Sequence, residues 1–190
     1  MIEKLPEGHI IKTMVQEHEQ ILGVLDELTQ ISNRLSDTDP VQVEKLMSQC
    51  NQLTIKLIMA EPHHKREEDV LFIEMEKHGI LGPTQVMRSE HDEMRKLKHQ
   101  LKEQTASYDT TWNLKVSDIT RLIDRLCNTL RTHIKKENTI LYPLALRVIT
   151  DDLTWEQMKL KCDQIGYCCF CPYEKEKMEP QELINNPEII

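Results

Sequence analysis

The sequence lacks long apolar runs. No segment of its 190 residues approaches the roughly 18 consecutive apolar residues that a membrane span requires. The opening stretch, Met1-Ile-Glu-Lys-Leu-Pro-Glu-Gly, contains two acids and no apolar run behind them, so it is not expected to be a secretory signal. We therefore expect a cytoplasmic protein that has no membrane partner.

Basic residues, aromatics and glycines are also few. Lys and Arg number 24 against 32 Asp and Glu, which gives a net charge of -8. Nucleic acid is not an expected partner, because phosphate binding requires a basic surface. Aromatic residues make up 4% of the chain and glycine occurs 5 times, which argues against a turn-rich all-β fold.

The apolar residues that are present recur at helical spacing. Short breaks at 36–40, 79–83 and 105–110 separate four long segments. This pattern predicts an all-α fold, an up-down-up-down four-helix bundle over 1–150, with Asp39 as the N-cap of a helix that starts at Pro40. Residues 151–190 are predicted to be an extension with a short helix, capped by Thr154 and Gln157, and a Cys-rich polar tail.

Histidine and glutamate interrupt the predicted core seams. His18 lies on the first seam, and the last runs through Ile119, Ile123, Leu126, Leu130, His133, Glu137, Ile140 and Leu144. His-x-x-x-Glu spacing places both side chains on one helix face, one turn apart. About one such pair is expected by chance, and the chain has four: His63/Glu67, His64/Glu68, His99/Glu103 and His133/Glu137.

A longer frame repeats around two of these pairs. His63-His-Lys-Arg-Glu67-Glu-Asp-Val-Leu-Phe matches His133-Ile-Lys-Lys-Glu137-Asn-Thr-Ile-Leu-Tyr in register, and the Glu-His dipeptide at 17/18 recurs at 90/91. The halves therefore look like two copies of one helix pair. In an antiparallel bundle, four imidazoles and two carboxylates can converge in the core. This donor set suits iron, manganese or zinc, with two ions sharing the carboxylates or, alternatively, one ion.

These frames resemble the hemerythrin-like, His-His-Glu cation-binding domain family over about residues 6–147, and further stretches are similar to a prokaryotic subfamily often fused to PAS sensor domains. The resemblance implies a non-haem di-iron centre, oxo- or hydroxo-bridged, that binds dioxygen, nitric oxide or peroxide for sensing, storage or protection. The implied ligands are His18, His63, Glu67, His91, His133 and Glu137. The subfamily tends to place the second-helix acid one residue later, which makes Glu68 the alternative to Glu67.

Arg95 stands where the oxygen-carrying members have a fifth histidine. The four-His, two-Glu set is therefore closer to iron-repair relatives. The resemblance then implies an alternative function, iron delivery or repair of damaged iron centres assisted by C-terminal thiols. A further alternative is a redox-dependent interaction module. The resemblance favours iron over manganese or zinc.

The extension contains an unusual group of cysteines. Cys162, Cys168, Cys169 and Cys171 fall within ten residues, and their spacing does not match common zinc sites. Two interpretations stay open. The group is either a redox-active thiol cluster, acting as a disulfide switch or soft-metal site, or the packing of a C-terminal flap.

Overall fold

The computed structural model describes residues 2–35, 40–106 and 112–170. These residues form helices and no strands. After a short 3-10 turn at Ile2–Lys4, the α-helices are α1 (Ile10–Leu35), α2 (Pro40–Met59), α3 (Glu61–Arg66), α4 (Phe72–Lys77), α5 (Gly82–Thr105), α6 (Trp112–Lys136), α7 (Tyr142–Val148) and α8 (Asp152–Ile165). A first π segment, Glu67–Leu71, joins α3 to α4, and a second π segment, Glu137–Leu141, joins α6 to α7.

The long helices pack as a ring in chain order. α1 packs against α2 and α6, and α5 packs against the same two helices. The predicted all-α helical bundle is confirmed, and α2 begins at Pro40 as predicted, whereas its proposed cap Asp39 lies outside the described residues. Among the described helices, none combines the length and apolar character that crossing a bilayer requires.

The bundle core consists of two apolar layers. Along α1, Ile11 and Met14 belong to one layer and Leu25 and Leu28 to the other. His18 lies between them on the same helix and is only 1% exposed. The polar side chains of the bundle interior are therefore enclosed by apolar packing on both sides, where electrostatic interactions are strong.

The two π segments change the predicted seam. Each starts at the glutamate of a repeated His-x-x-x-Glu frame, and the N–H groups of Phe72 and Tyr142 donate to the carbonyls of Glu67 and Glu137 respectively. A π turn holds one more residue than an α turn, so every residue after it rotates relative to the core. The prediction that Ile140 faces the core is wrong, because Ile140 is 59% exposed and Leu141 is buried instead.

The C-terminal extension begins with α8, which packs against α1, α3 and the first π segment. The predicted capping box at Thr154 and Gln157 is wrong, since the N-cap is Asp151, whose carboxylate accepts from the Thr154 N–H at 3.0 Å. The helix ends at Gly166, where φ is +89°, a conformation that side chains disfavour. This turn directs Tyr167 and Cys168 back onto the bundle.

Candidate metal centre

The six residues predicted as ligands converge in one buried layer. His18 comes from α1, His63 from α3, His91 from α5 and His133 from α6, while Glu67 and Glu137 are the first residues of the two π segments. Each of the six is at most 2% exposed. The repeated frames place them at one level because each π segment follows its histidine by one turn.

The imidazoles form two pairs. The Nε2 atoms of His18 and His63 lie 3.0 Å apart, and those of His91 and His133 also lie 3.0 Å apart. We call His18 and His63 the first half-site and His91 and His133 the second half-site. Each copy of the duplicated helix pair therefore supplies one half-site.

The two carboxylates lie between the half-sites. Glu137 Oε2 is 3.2 Å from His18 Nε2, while Glu137 Oε1 is 2.8 Å from His133 Nε2 and 3.6 Å from His91 Nε2. Glu67 Oε2 is 3.6 Å from His63 Nε2 and 3.4 Å from His91 Nε2. The donor atoms of His18, His63 and Glu137, and those of His91, His133 and Glu137, are close enough to hold one ion in each group.

Every imidazole is oriented through its other nitrogen. The Nδ1–H groups donate as follows: His18 to Asn138 Oδ1 at 2.8 Å, His63 to Glu17 Oε2 at 2.6 Å, His91 to Glu68 Oε1 at 2.7 Å, and His133 to Glu90 Oε2 at 2.8 Å. A neutral histidine that donates from Nδ1 presents a lone pair at Nε2. This arrangement of outer acceptors is typical of metal-binding histidines.

Burial and charge shift the pKa values in this layer. Burial lowers the pKa of His63 to about 4, although its hydrogen bond to Glu17 opposes the shift. Burial alone favours a raised pKa for Glu17, but His63 and Arg66 outweigh it and hold that pKa at about 2. Burial, followed by the neighbouring Glu137 charge, raises the pKa of Glu67 well above its usual range.

Glu137 shifts in the opposite direction. Its burial is outweighed by His133 and the other imidazoles, which lower its pKa well below the usual range. The pKa values of these two neighbouring carboxylates therefore shift in opposite directions, because a second negative charge beside the first is unfavourable. Added positive charge favours the ionised form of both.

The donor atoms fit a metal. Glu67 Oε2 and both carboxylate oxygens of Glu137 are buried and accept no hydrogen bond from the described residues. His133 Nε2 lies 2.8 Å from Glu137 Oε1, and Glu137 outweighs the effect of burial to raise the pKa of His133. A buried acceptor without a partner costs about 1–3 kcal/mol. Cations between the half-sites would satisfy all of these atoms.

Comparison with known proteins agrees with this donor set. The family profile of the hemerythrin HHE cation binding domain matches residues 9–145, which is more than half of the chain. The chain belongs to the hemerythrin HHE cation-binding family. The bundle and its buried histidines and glutamates are thus those of a metal-binding domain.

The hemerythrin-like chain also matches proteins named iron-sulfur cluster repair protein YtfE. Those of Escherichia coli O157:H7 and Shigella boydii serotype 18 are each 38% identical over 94 residues, covering 44% of this chain and 40% of the relative. The chain thus spans about two fifths of the length of these curated relatives.

Glu68, the alternative to Glu67, lies behind the site and does not face its centre. Its carboxylate accepts from His91 Nδ1 and from the Arg95 guanidinium at 2.9 and 3.0 Å. The preceding residue, Glu67, points between the half-sites. The geometry therefore favours Glu67 as the ligand and gives Glu68 a supporting position. The neighbouring His64 is also displaced from the centre, with its ring stacked on His91 at a centroid distance of 4.0 Å.

The sequence did not reveal the outer acceptors. Glu17 and Glu90 were visible only as part of the repeated Glu-His dipeptide, and Asn138 gave no signal beyond following Glu137. Arg66 was also missed. It is 1% exposed, and its guanidinium donates to both oxygens of Glu17 at 2.7 and 2.6 Å.

Tyr142 and Phe72 occupy equivalent positions after the two π segments, and both are fully buried. The Tyr142 hydroxyl donates to Glu67 Oε1 at 2.6 Å, whereas phenylalanine has no donor. The hydroxyl thereby holds the outer oxygen of Glu67 and leaves Oε2 directed at the half-sites. The repeated frame includes Tyr142, but its contact with Glu67 was not predicted.

The C-terminal thiols lie near the first half-site. Cys162 and Cys168 are buried beside Arg66, and Cys169 is exposed, while Cys171 lies outside the described residues. No disulfide joins the described cysteines. Burial raises the pKa of Cys162 to about 12 and also raises that of Cys168, so both are protonated at neutral pH. Both residues pack in the interior, and the choice between a redox-active cluster and simple packing stays a prediction.

Proposed function

We propose that this chain is a cytoplasmic non-haem di-iron protein whose ligands are His18, His63, Glu67, His91, His133 and Glu137. The observation that carries the proposal is the pair of half-sites joined by two buried carboxylates, with all four Nδ1 atoms already engaged. Two ions are favoured over one because the donor atoms form two groups that share Glu137. Mixed imidazole and carboxylate ligation suits iron, with manganese or zinc the less favoured occupants.

Bound iron would supply reversible binding or reduction of a small oxidant, and we propose dioxygen, nitric oxide or peroxide as that ligand. The residues of the chain keep the site ready for this chemistry. The apolar layers on both sides exclude water, and the Nδ1 acceptors fix the orientation of each imidazole. Tyr142 holds one oxygen of Glu67, so that the other remains available to the half-sites.

Metal analysis of anaerobically purified protein tests the proposal. We expect two irons per chain and new charge-transfer bands in the visible spectrum on addition of air or nitric oxide. His133→Ala and Glu137→Ala should each abolish binuclear binding. His99→Ala and Glu103→Ala provide a matched control, because this His-x-x-x-Glu pair has the same spacing but is exposed. Two irons per chain in both His133→Ala and Glu137→Ala would rule out the assignment.

The similarity to proteins named iron-sulfur cluster repair proteins favours a second function, iron delivery or repair of damaged iron centres. The C-terminal thiols are the candidates for assisting it, because Cys168 lies close to Glu17 and Arg66 behind His63. The triple variant Cys168→Ser, Cys169→Ser and Cys171→Ser should retain its metal but lose the ability to reactivate an oxidised or nitrosylated iron-sulfur enzyme. Full reactivation by this variant would exclude a role for these three thiols.

A further inference from the structure

The two half-sites differ in the groups behind their imidazoles. In the second half-site both Nδ1 atoms donate to carboxylates, those of Glu68 and Glu90. In the first half-site His63 donates to a carboxylate, whereas His18 donates to the neutral amide oxygen of Asn138. Glu68 and Asn138 occupy equivalent places in the duplicated frame, each directly after its motif glutamate. The two copies of the frame therefore differ at this position, as they also do at Phe72 and Tyr142.

The charge behind the first half-site is further reduced by Arg66. Its guanidinium contacts both oxygens of Glu17, and both side chains are at most 1% exposed, so Glu17 is neutralised in place. Glu68 and Glu90 also pair with cations, Arg95 and Lys136. Those cationic side chains are 26% and 33% exposed, and water screens them. The second half-site is thus backed by two negative charges that are only partly compensated.

A carboxylate acceptor on Nδ1 raises the basicity of the imidazole and strengthens its bond to a metal, and removing such a partner typically weakens binding about 10–100-fold. We propose that the His91/His133 half-site binds the first metal ion and binds it more tightly than the His18/His63 half-site, with Glu68 and Asn138 as the positioning residues that set this order. The inference rests on the proposed binuclear site. It adds that the two ions are inequivalent although their direct ligands are matched.

Titration of the metal-free full chain with Co²⁺, followed by absorption and calorimetry, tests the order. The unaltered protein should bind two ions in separate steps. Glu68→Gln should weaken the tight step about 10–100-fold, so that the steps merge. Asn138→Asp should instead strengthen the weak step, and Glu68→Asp should preserve the separation. His18→Ala should retain the tight step, whereas His91→Ala should retain the weak one.

Glu103→Gln is the matched control, because Glu103 is exposed on the same helix as His91 and should leave both steps unchanged. Circular dichroism and urea unfolding check that each variant folds. A purely structural effect of Glu68→Gln would shift both steps together, which would overturn the inference. Two equal steps in the unaltered protein would do so as well. Absence of any Co²⁺ binding would overturn the proposed metal site itself, and the inference with it.

Discussion

Replacing Arg66 by methionine should destabilise the protein far more than a typical arginine substitution. Arg66→Met leaves the Glu17 carboxylate fully buried, with His63 and the neighbouring Cys168 thiol as its remaining partners. The pKa of Glu17 lies at about 2 instead of 4.5, and His63 contributes more to this depression than Arg66 does. Removing one partner of a buried ion pair typically costs about 3–5 kcal/mol. We therefore expect a loss of about 3 kcal/mol in the free energy of unfolding at pH 7.

Urea unfolding of the metal-free protein measures this loss. Arg121→Met is the control, because its ion pair with Asp118 is 75% and 65% exposed and should contribute under about 1 kcal/mol. The double variant Arg66→Met, Glu17→Gln should recover part of the loss, since it leaves no unpaired buried charge. Because a depressed carboxyl pKa stabilises the fold above the unfolded value, the Glu17 contribution persists above pH 4.5 and disappears as the pH falls towards 2. A loss below 1 kcal/mol in Arg66→Met would refute the reasoning.

Three further outcomes are expected. Tyr142→Phe should lower the free energy of unfolding by about 1–3 kcal/mol in urea, because Glu67 Oε1 loses its buried donor; an unchanged value would contradict this. Burial lowers the pKa of Lys98 to about 8 from 10.5. Between these pH values the unfolded chain binds more protons than the folded chain, so the free energy of unfolding should rise by about 3 kcal/mol from pH 8 to 10.5. That rise should be absent in Lys98→Met. Gly166→Ala should destabilise the turn after α8 by about 1 kcal/mol, because φ there is +89°; hydrogen exchange in α8 should accelerate about fivefold, and no change would count against it.

The sequence was sufficient to predict the helical bundle and the six histidines and glutamates that converge inside it. Helical spacing located the seams, and the repeat of the His-x-x-x-Glu frame separated His63 and His133 from the exposed His99. The shift of the seam after Glu137 could not be predicted, because the apolar spacing in the sequence is the same for an α-helix and for a π segment. The extra residue of the π turn nevertheless rotates every later side chain relative to the core. Only the structure shows that Leu141 replaces Ile140 in the core.

The residues that accept from the Nδ1–H groups could not be predicted, for a different reason. Glu17 acts on His63 from another helix, and Asn138 acts on His18 across the bundle. Sequence spacing reports neighbours on one helix, whereas these pairs depend on how the helices are rotated against each other. The start of α8 was misplaced because Thr154 resembles a cap, although Asp151 supplies the acceptor that satisfies the first turn.

The repeated frame gives the two half-sites their similarity, and the position after the motif glutamate makes them different. Loss of a histidine or of a motif glutamate would leave buried donors and acceptors unsatisfied. The residue after the motif glutamate is under a weaker constraint, because an amide oxygen accepts from Nδ1 as well as a carboxylate does. Glu68 and Asn138 both hold an imidazole in the required orientation. Glu68 is negatively charged, whereas Asn138 is neutral and one methylene shorter, so this position changes the charge behind one half-site while both residues still accept from an imidazole.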